Sequence, residues 1–168
     1  MLKMKNILAS FLLASVAMAA IFYQSSALAS ACHHAGIELS DGYLKATPPK
    51  APVSAGYLTI QNAGSDDIYL TGAHAAFSET SAIHDMKMSN GVMIMTEVED
   101  GIIVSAGKKV SLAPGGMHLM FMGLTQQLKT GDEHIITLTF DKCGDWDISL
   151  PVSNGAMSGH NQNSHKHH

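Results

Sequence analysis

The chain is 168 residues long, with 46% hydrophobic, 6% aromatic and 14% charged side chains. That length suits one globular domain, and the low charge excludes a disordered or coiled-coil composition. All ten basic residues are lysine, and against 14 acids they leave a formal charge of -4. An acidic chain without one guanidinium fork argues against nucleic-acid binding and bidentate phosphate recognition.

Residues 1–29 predict a cleaved export signal: Lys3 and Lys5 form a basic start, an apolar run extends from Ile7 to Ile21, and Ala27-Leu28-Ala29 supplies the cleavage site. The apolar run is about 15 residues, short of the roughly 20 that a membrane-spanning helix needs. Cleavage removes both lysines and leaves the mature chain at -6. A signal of this length on a small, lysine-only chain points to a bacterial periplasm or cell surface. Lipid attachment at Cys32 is the lesser alternative, because Leu28 stands one position too far from the cysteine for a good lipobox. Cys32 and Cys143 are the two cysteines. They pair across the mature chain in an oxidising compartment or remain separate thiols, and the sequence leaves both readings open.

Short β-branched or alternating apolar runs, punctuated by Gly, Pro, Asn and Asp, predict an all-β domain over residues 30–152. The expected strands cover 36–39, 43–46, 54–62, 68–75, 81–89, 92–97, 102–104, 109–112, 118–121, 133–140 and 146–151. At most one helical turn is expected, over 126–129. Many short strands at close spacing indicate a β-sandwich or Greek-key barrel. Residues 153–168 hold almost nothing that packs, so a disordered tail is expected there.

The excess of eleven Met and ten His is concentrated in two segments and in the tail. In the first segment, Asn90-Gly91 is a strong signal for a two-residue hairpin turn. It sets Met88 opposite Met93, Met86 opposite Met95 and His84 opposite Glu97. Side chains alternate along strands, so His84, Met86, Met88, Met93 and Met95 emerge on one face. In the second segment His118, Met120 and Met122 share a face, just after the Pro114-Gly115-Gly116 turn. Adjacency of the two segments would gather imidazole and thioether donors, though spacing alone does not establish it. Neutral, polarisable thioethers suit Cu(I), and imidazole suits both copper oxidation states. Proton competition for imidazole should weaken binding in acid. Met93, Met117 or Met122 taken singly reads as core packing. His74 and His134 lack Met neighbours and read as ordinary strand residues.

These residues resemble the periplasmic copper chaperones of the PCu(A)C type, whose signature is H(M)-x10-M-x21-H-x-M. His84 is followed by ten residues and Met95, and the second half reads His118-Leu119-Met120. The interval between Met95 and His118 is 22 residues rather than 21, an insertion best placed in the Glu99-Asp100-Gly101 turn. The likeness extends through Ala46-Thr47-Pro48-Pro49, Ala55-Gly56-Tyr57 and the stretch 112–124, spanning about Gly36 to Pro151. It implies a cupredoxin-like Greek-key β-sandwich binding one Cu(I) through His84, Met95, His118 and Met120, with Met86 and Met88 as auxiliary thioethers. It also implies delivery of copper to cytochrome c oxidase or its assembly factors. Some family members carry a tail that binds Cu(II), and here Met157, His160, His165, His167 and His168 match that composition.

Other functions fit less well. A blue-copper electron carrier needs a His₂Cys site, yet Cys143 is followed by no histidine within ten residues. No Gly-x-Ser-x-Gly elbow, phosphate loop or His-Glu-x-x-His pattern points to a hydrolase. Copper storage without a recipient draws on the same cluster as carriage and is the principal alternative.

Overall fold

The computed structural model describes residues 36–155. The expected signal peptide, Cys32, Met157 and the four tail histidines lie outside the described residues. The described residues form ten strands: β1 Ile37–Lys45, β2 Val53–Asn62, β3 Ile68–Ala75, β4 Ser78–Ser89, β5 Val92–Glu97, β6 Ile102–Val104, β7 Lys109–Leu112, β8 His118–Leu124, β9 Glu133–Phe140 and β10 Gly144–Ser153. One sheet runs β5-β4-β8-β2-β1, with β7 also paired to β2, and the other runs β10-β9-β3-β6. A short parallel pairing of β1 with β10, Leu44 to Val152 and Lys45 to Ser153, joins them. This is a cupredoxin-like Greek-key sandwich, as expected.

Period-two alternation produces the core. Along β2, Ser54, Gly56, Leu58 and Ile60 are buried while the residues between them are more open. On β8, Leu119 and Phe121 point inward, and Ile83 of β4 joins them. The facing sheet contributes Leu70, Ile136, Leu138 and Phe140. Burying each such side chain contributes about 1.5–3 kcal/mol. Phe121 packs on Phe77 with ring centroids 5.1 Å apart. The same alternation that buries Leu119 and Phe121 turns His118 and Met120 to the opposite face of this sheet.

Some strand bounds differ from those expected. The two strands predicted at 36–39 and 43–46 are one strand, β1, interrupted by a bulge between Ser40 and Tyr43. Asp41 takes a φ of 55°, so the polar Ser-Asp-Gly signal marks a bulge and not a chain break. A Cβ at Gly42 would lie 2.5 Å from Leu150 Cδ2, so a larger residue there would force the Leu150 side chain to move. Residues 126–129 form no helical turn. Thr47 captures that segment instead: its amide donates to Leu128 O (2.9 Å), its hydroxyl accepts from Leu128 N (3.1 Å), and its carbonyl accepts from Gln127 Nε2 (2.9 Å). β8 also runs three residues beyond its predicted end, because Met122 finds partners on both sides, Val53 and Thr80.

Candidate functional site

β8 lies between β4 and β2, and its register brings the two Met/His segments together. His84 pairs directly with His118, and Ala82 pairs with Met120. The imidazole rings stand edge to face with centroids 5.9 Å apart. The turn at Asn90 and Gly91, with φ of 51° and 80°, gives the expected hairpin register: His84 with Glu97, Met86 with Met95, Met88 with Met93. Met86, Met95, His118 and Met120 line one cavity of about 280 Å³, closed on the β2 side by Ala55 and Tyr57. His84 stands beside that cavity, against His118.

His118 is 4% exposed. Its Nδ1 donates to the Gly116 carbonyl at 2.9 Å. A carbonyl only accepts, so Nδ1 carries the proton and Nε2 keeps its lone pair. Histidine ligands of metals are commonly oriented by such a bond at the other ring nitrogen. His84 Nδ1 is buried and has no hydrogen-bond partner. A buried, unpaired ring nitrogen carries a desolvation cost that a bound cation would relieve.

Apart from Glu97, which pairs with His84 across the strand, the surroundings are nearly neutral. The Tyr57 ring is tilted against both neighbours, its centroid 6.4 Å from that of His118 and 5.0 Å from that of Tyr43. Burial pushes the Tyr57 phenol above its ordinary pKa, and Tyr43 pushes it further the same way, so the phenol stays uncharged. Lys45 is the charged residue lining the cavity, and its ammonium donates to Asn154 O at 2.7 Å. Among the described residues no three His, Cys, Asp or Glu side chains gather closely enough to hold a metal ion. A cation held in this cavity would therefore need thioether donors.

The remaining residues fall into place around this site. Met88 and Met93 stand at the hairpin tip, 65% and 43% exposed, so the packing reading of Met93 is overturned. Met117 packs against the core as that reading expects. His74 and His134 sit on β3 and β9 of the other sheet, away from the cluster. Sequence reasoning gave no role to Tyr57, Lys45 or the Gly116 carbonyl at the site. The outward alternation of β2 marked Tyr57 as available, but its position beside His118 depends on the β2–β8 register. Cys143 is disulfide-bonded, and the one other cysteine of the sequence, Cys32, lies outside the described residues.

The fold is that of PCuAC domains. The "Copper-bound PCuAC domain from PmoF2" superposes with a TM-score of 0.59 at 22% identity, covering 72% of this chain and 93% of that one. "Apo-DR1885 from Deinococcus radiodurans" gives 0.56 at 24% identity, covering 72% and 83%. Residues 37–152 match the family model described as "Putative lipoprotein LpqE-like", and the chain belongs to that family. A relative from Leifsonia xyli subsp. xyli, "Putative lipoprotein Lxx21020", is 30% identical over 128 residues, 76% of this chain and 75% of its own length.

Proposed function

We propose that this chain is an exported copper carrier that holds one Cu(I) ion as cargo and passes it to a recipient, with no catalytic turnover. The observation that carries the reading is the direct pairing of His84 with His118 beside a cavity lined by Met86, Met95 and Met120. The proposed ligands are His84, Met95, His118 and Met120, with Met86 as an auxiliary thioether in the same cavity; Met88, expected as a second auxiliary, lies outside that cavity and is assigned no part in holding the tight ion. Two imidazoles and neutral sulfurs, without thiolate or carboxylate, favour a monovalent soft ion over zinc or hard cations. The copper-bound state of the similar PmoF2 domain supports the same reading.

Release proceeds by ligand exchange. Met95 is 43% exposed, so a donor on the recipient can approach the ion and replace its sulfur. Copper stays monovalent and no proton leaves a thioether. From the resemblance, the proposed recipient is cytochrome c oxidase, at its copper centre, or one of its assembly factors. Met157, His160, His165, His167 and His168 are proposed to bind Cu(II) separately. Export to an oxidising compartment such as the periplasm agrees with the disulfide at Cys143.

Titration of the mature chain against a competing Cu(I) chelator tests this reading. His118→Ala with Met120→Ala should abolish tight Cu(I) binding while the far-UV β spectrum persists, and retained affinity would remove the proposed centre. In the same assay, truncation after Ser153 should lose Cu(II) uptake and keep Cu(I). Many tight Cu(I) ions per chain would favour storage over carriage.

A further inference from the structure

Three thioethers of the hairpin are not among the proposed Cu(I) ligands: Met86, Met88 and Met93. The register arranges the hairpin methionines as two cross-strand rungs on one face, Met86 with Met95 and Met88 with Met93. The inner rung lines the cavity with His118 and Met120. The outer rung stands next to the Asn90-Gly91 turn, with Met88 65% and Met93 43% exposed. Core methionines fill irregular gaps between other side chains, whereas these two face water. Their exposure removes the packing explanation and leaves two soft donors held opposite each other.

Directly opposed residues of an antiparallel pair hold their Cβ atoms about 4.5–5.5 Å apart, a span that two flexible thioethers close around one ion. A step of two residues along a strand is about 6.8 Å, which separates the outer rung from the inner. Asp85 and Lys87 alternate onto the other face of the hairpin, where they form an ion pair at 2.8 Å. No carboxylate of β4 therefore shares the outer rung.

We infer that Met88 and Met93 form an outer, weak, sulfur-only subsite for a monovalent soft cation, from which the ion steps inward to Met86 and Met95. The inference rests on the Cu(I) reading above. In the step, a bond from the ion to an inner thioether forms as one to an outer thioether breaks. The metal remains monovalent throughout, and no proton or electron is exchanged. Thioethers alone hold Cu(I) or Ag(I) and reject hard ions, and open exposure permits rapid exchange. The outer rung thus acts as a point of capture, and the inner site as the point of retention.

The test uses the mature full-length chain carrying methyl-13C methionine, titrated with Ag(I), together with the volume-conserving variant Met88→Leu with Met93→Leu. The expected result is that the first equivalent moves the Met95 and Met120 methyl signals and further Ag(I) moves those of Met88 and Met93. In the double variant, tight Cu(I) affinity should be unchanged, while the rate of Cu(I) uptake from a chelate falls several-fold. Unmoved Met88 and Met93 signals in excess Ag(I), or uptake at the wild-type rate, would overturn the inference alone. Loss of tight Cu(I) binding in the double variant would also overturn it, by making the outer pair part of the central site. Failure of the wild-type chain to take up either ion at Met95 and Met120 would sink the Cu(I) reading itself and this inference with it.

Discussion

The carbonyl of Gly116 decides which nitrogen His118 can offer. By accepting the Nδ1 proton at 2.9 Å, it leaves Nε2 as the donor and holds the ring against rotation. On addition of Cu(I), 15N NMR should show His118 Nε2 shifting and Nδ1 keeping its proton. A large shift at Nδ1 with loss of that proton would contradict the assignment. The presence of His118 and Met120 on one face was legible from alternation alone, since Leu119 and Phe121 between them belong to a core. The tautomer was not legible, because it depends on where the turn at 113–117 aims one carbonyl. The same holds for Tyr57, whose outward direction was readable but whose placement against His118 required the pairing of two strands distant in sequence.

The β4–β5 hairpin carries four of the seven methionines among the described residues, and among those residues β5 forms ladder pairs only with β4. Its register was readable in full because Asn-Gly demands a type I′ turn, and the turn sets every pair above it. The surface ion pair of Lys87 with Asp85 adds little to it. Gly91, at φ 80°, meets nothing within 4 Å at its Cβ position, so a side chain there is strained only by the backbone. Gly91→Ala should cost about 1 kcal/mol. If the hairpin shifts to relieve that strain, Met95 moves with it, so Cu(I) affinity should drop by up to about fivefold, read by chelator competition. Unchanged affinity would show that the hairpin does not hold Met95 for the ion. The other elements were less legible. A polar Ser-Asp-Gly run reads equally as a loop or a bulge, and only pairing with β2 decides for the bulge in β1. The end of β8 was hidden for the same reason, as no local signal announces that a strand will be paired on both sides.

At the scale of the molecule, the site exists because β8 is inserted between β2 and β4, bringing His84 opposite a histidine 34 positions later. The sandwich class followed from many short strands bounded by turn residues, but strand order is a long-range property and periodicity does not encode it. The motif spacing supplied that adjacency through resemblance, and the 22-residue interval before His118 is absorbed by β6, β7 and their turns without disturbing the paired strands. The fold keeps the aromatic and aliphatic core between the sheets and leaves the donors on the other face of the β8 sheet, where an ion held as proposed would stay within reach of a recipient. X-ray absorption at the copper edge of the Cu(I)-loaded mature chain tests this arrangement most directly. The account predicts a monovalent edge and a first shell of two nitrogens and two sulfurs, drawn from His84, His118, Met95 and Met120. A shell of nitrogen and oxygen without sulfur would contradict it.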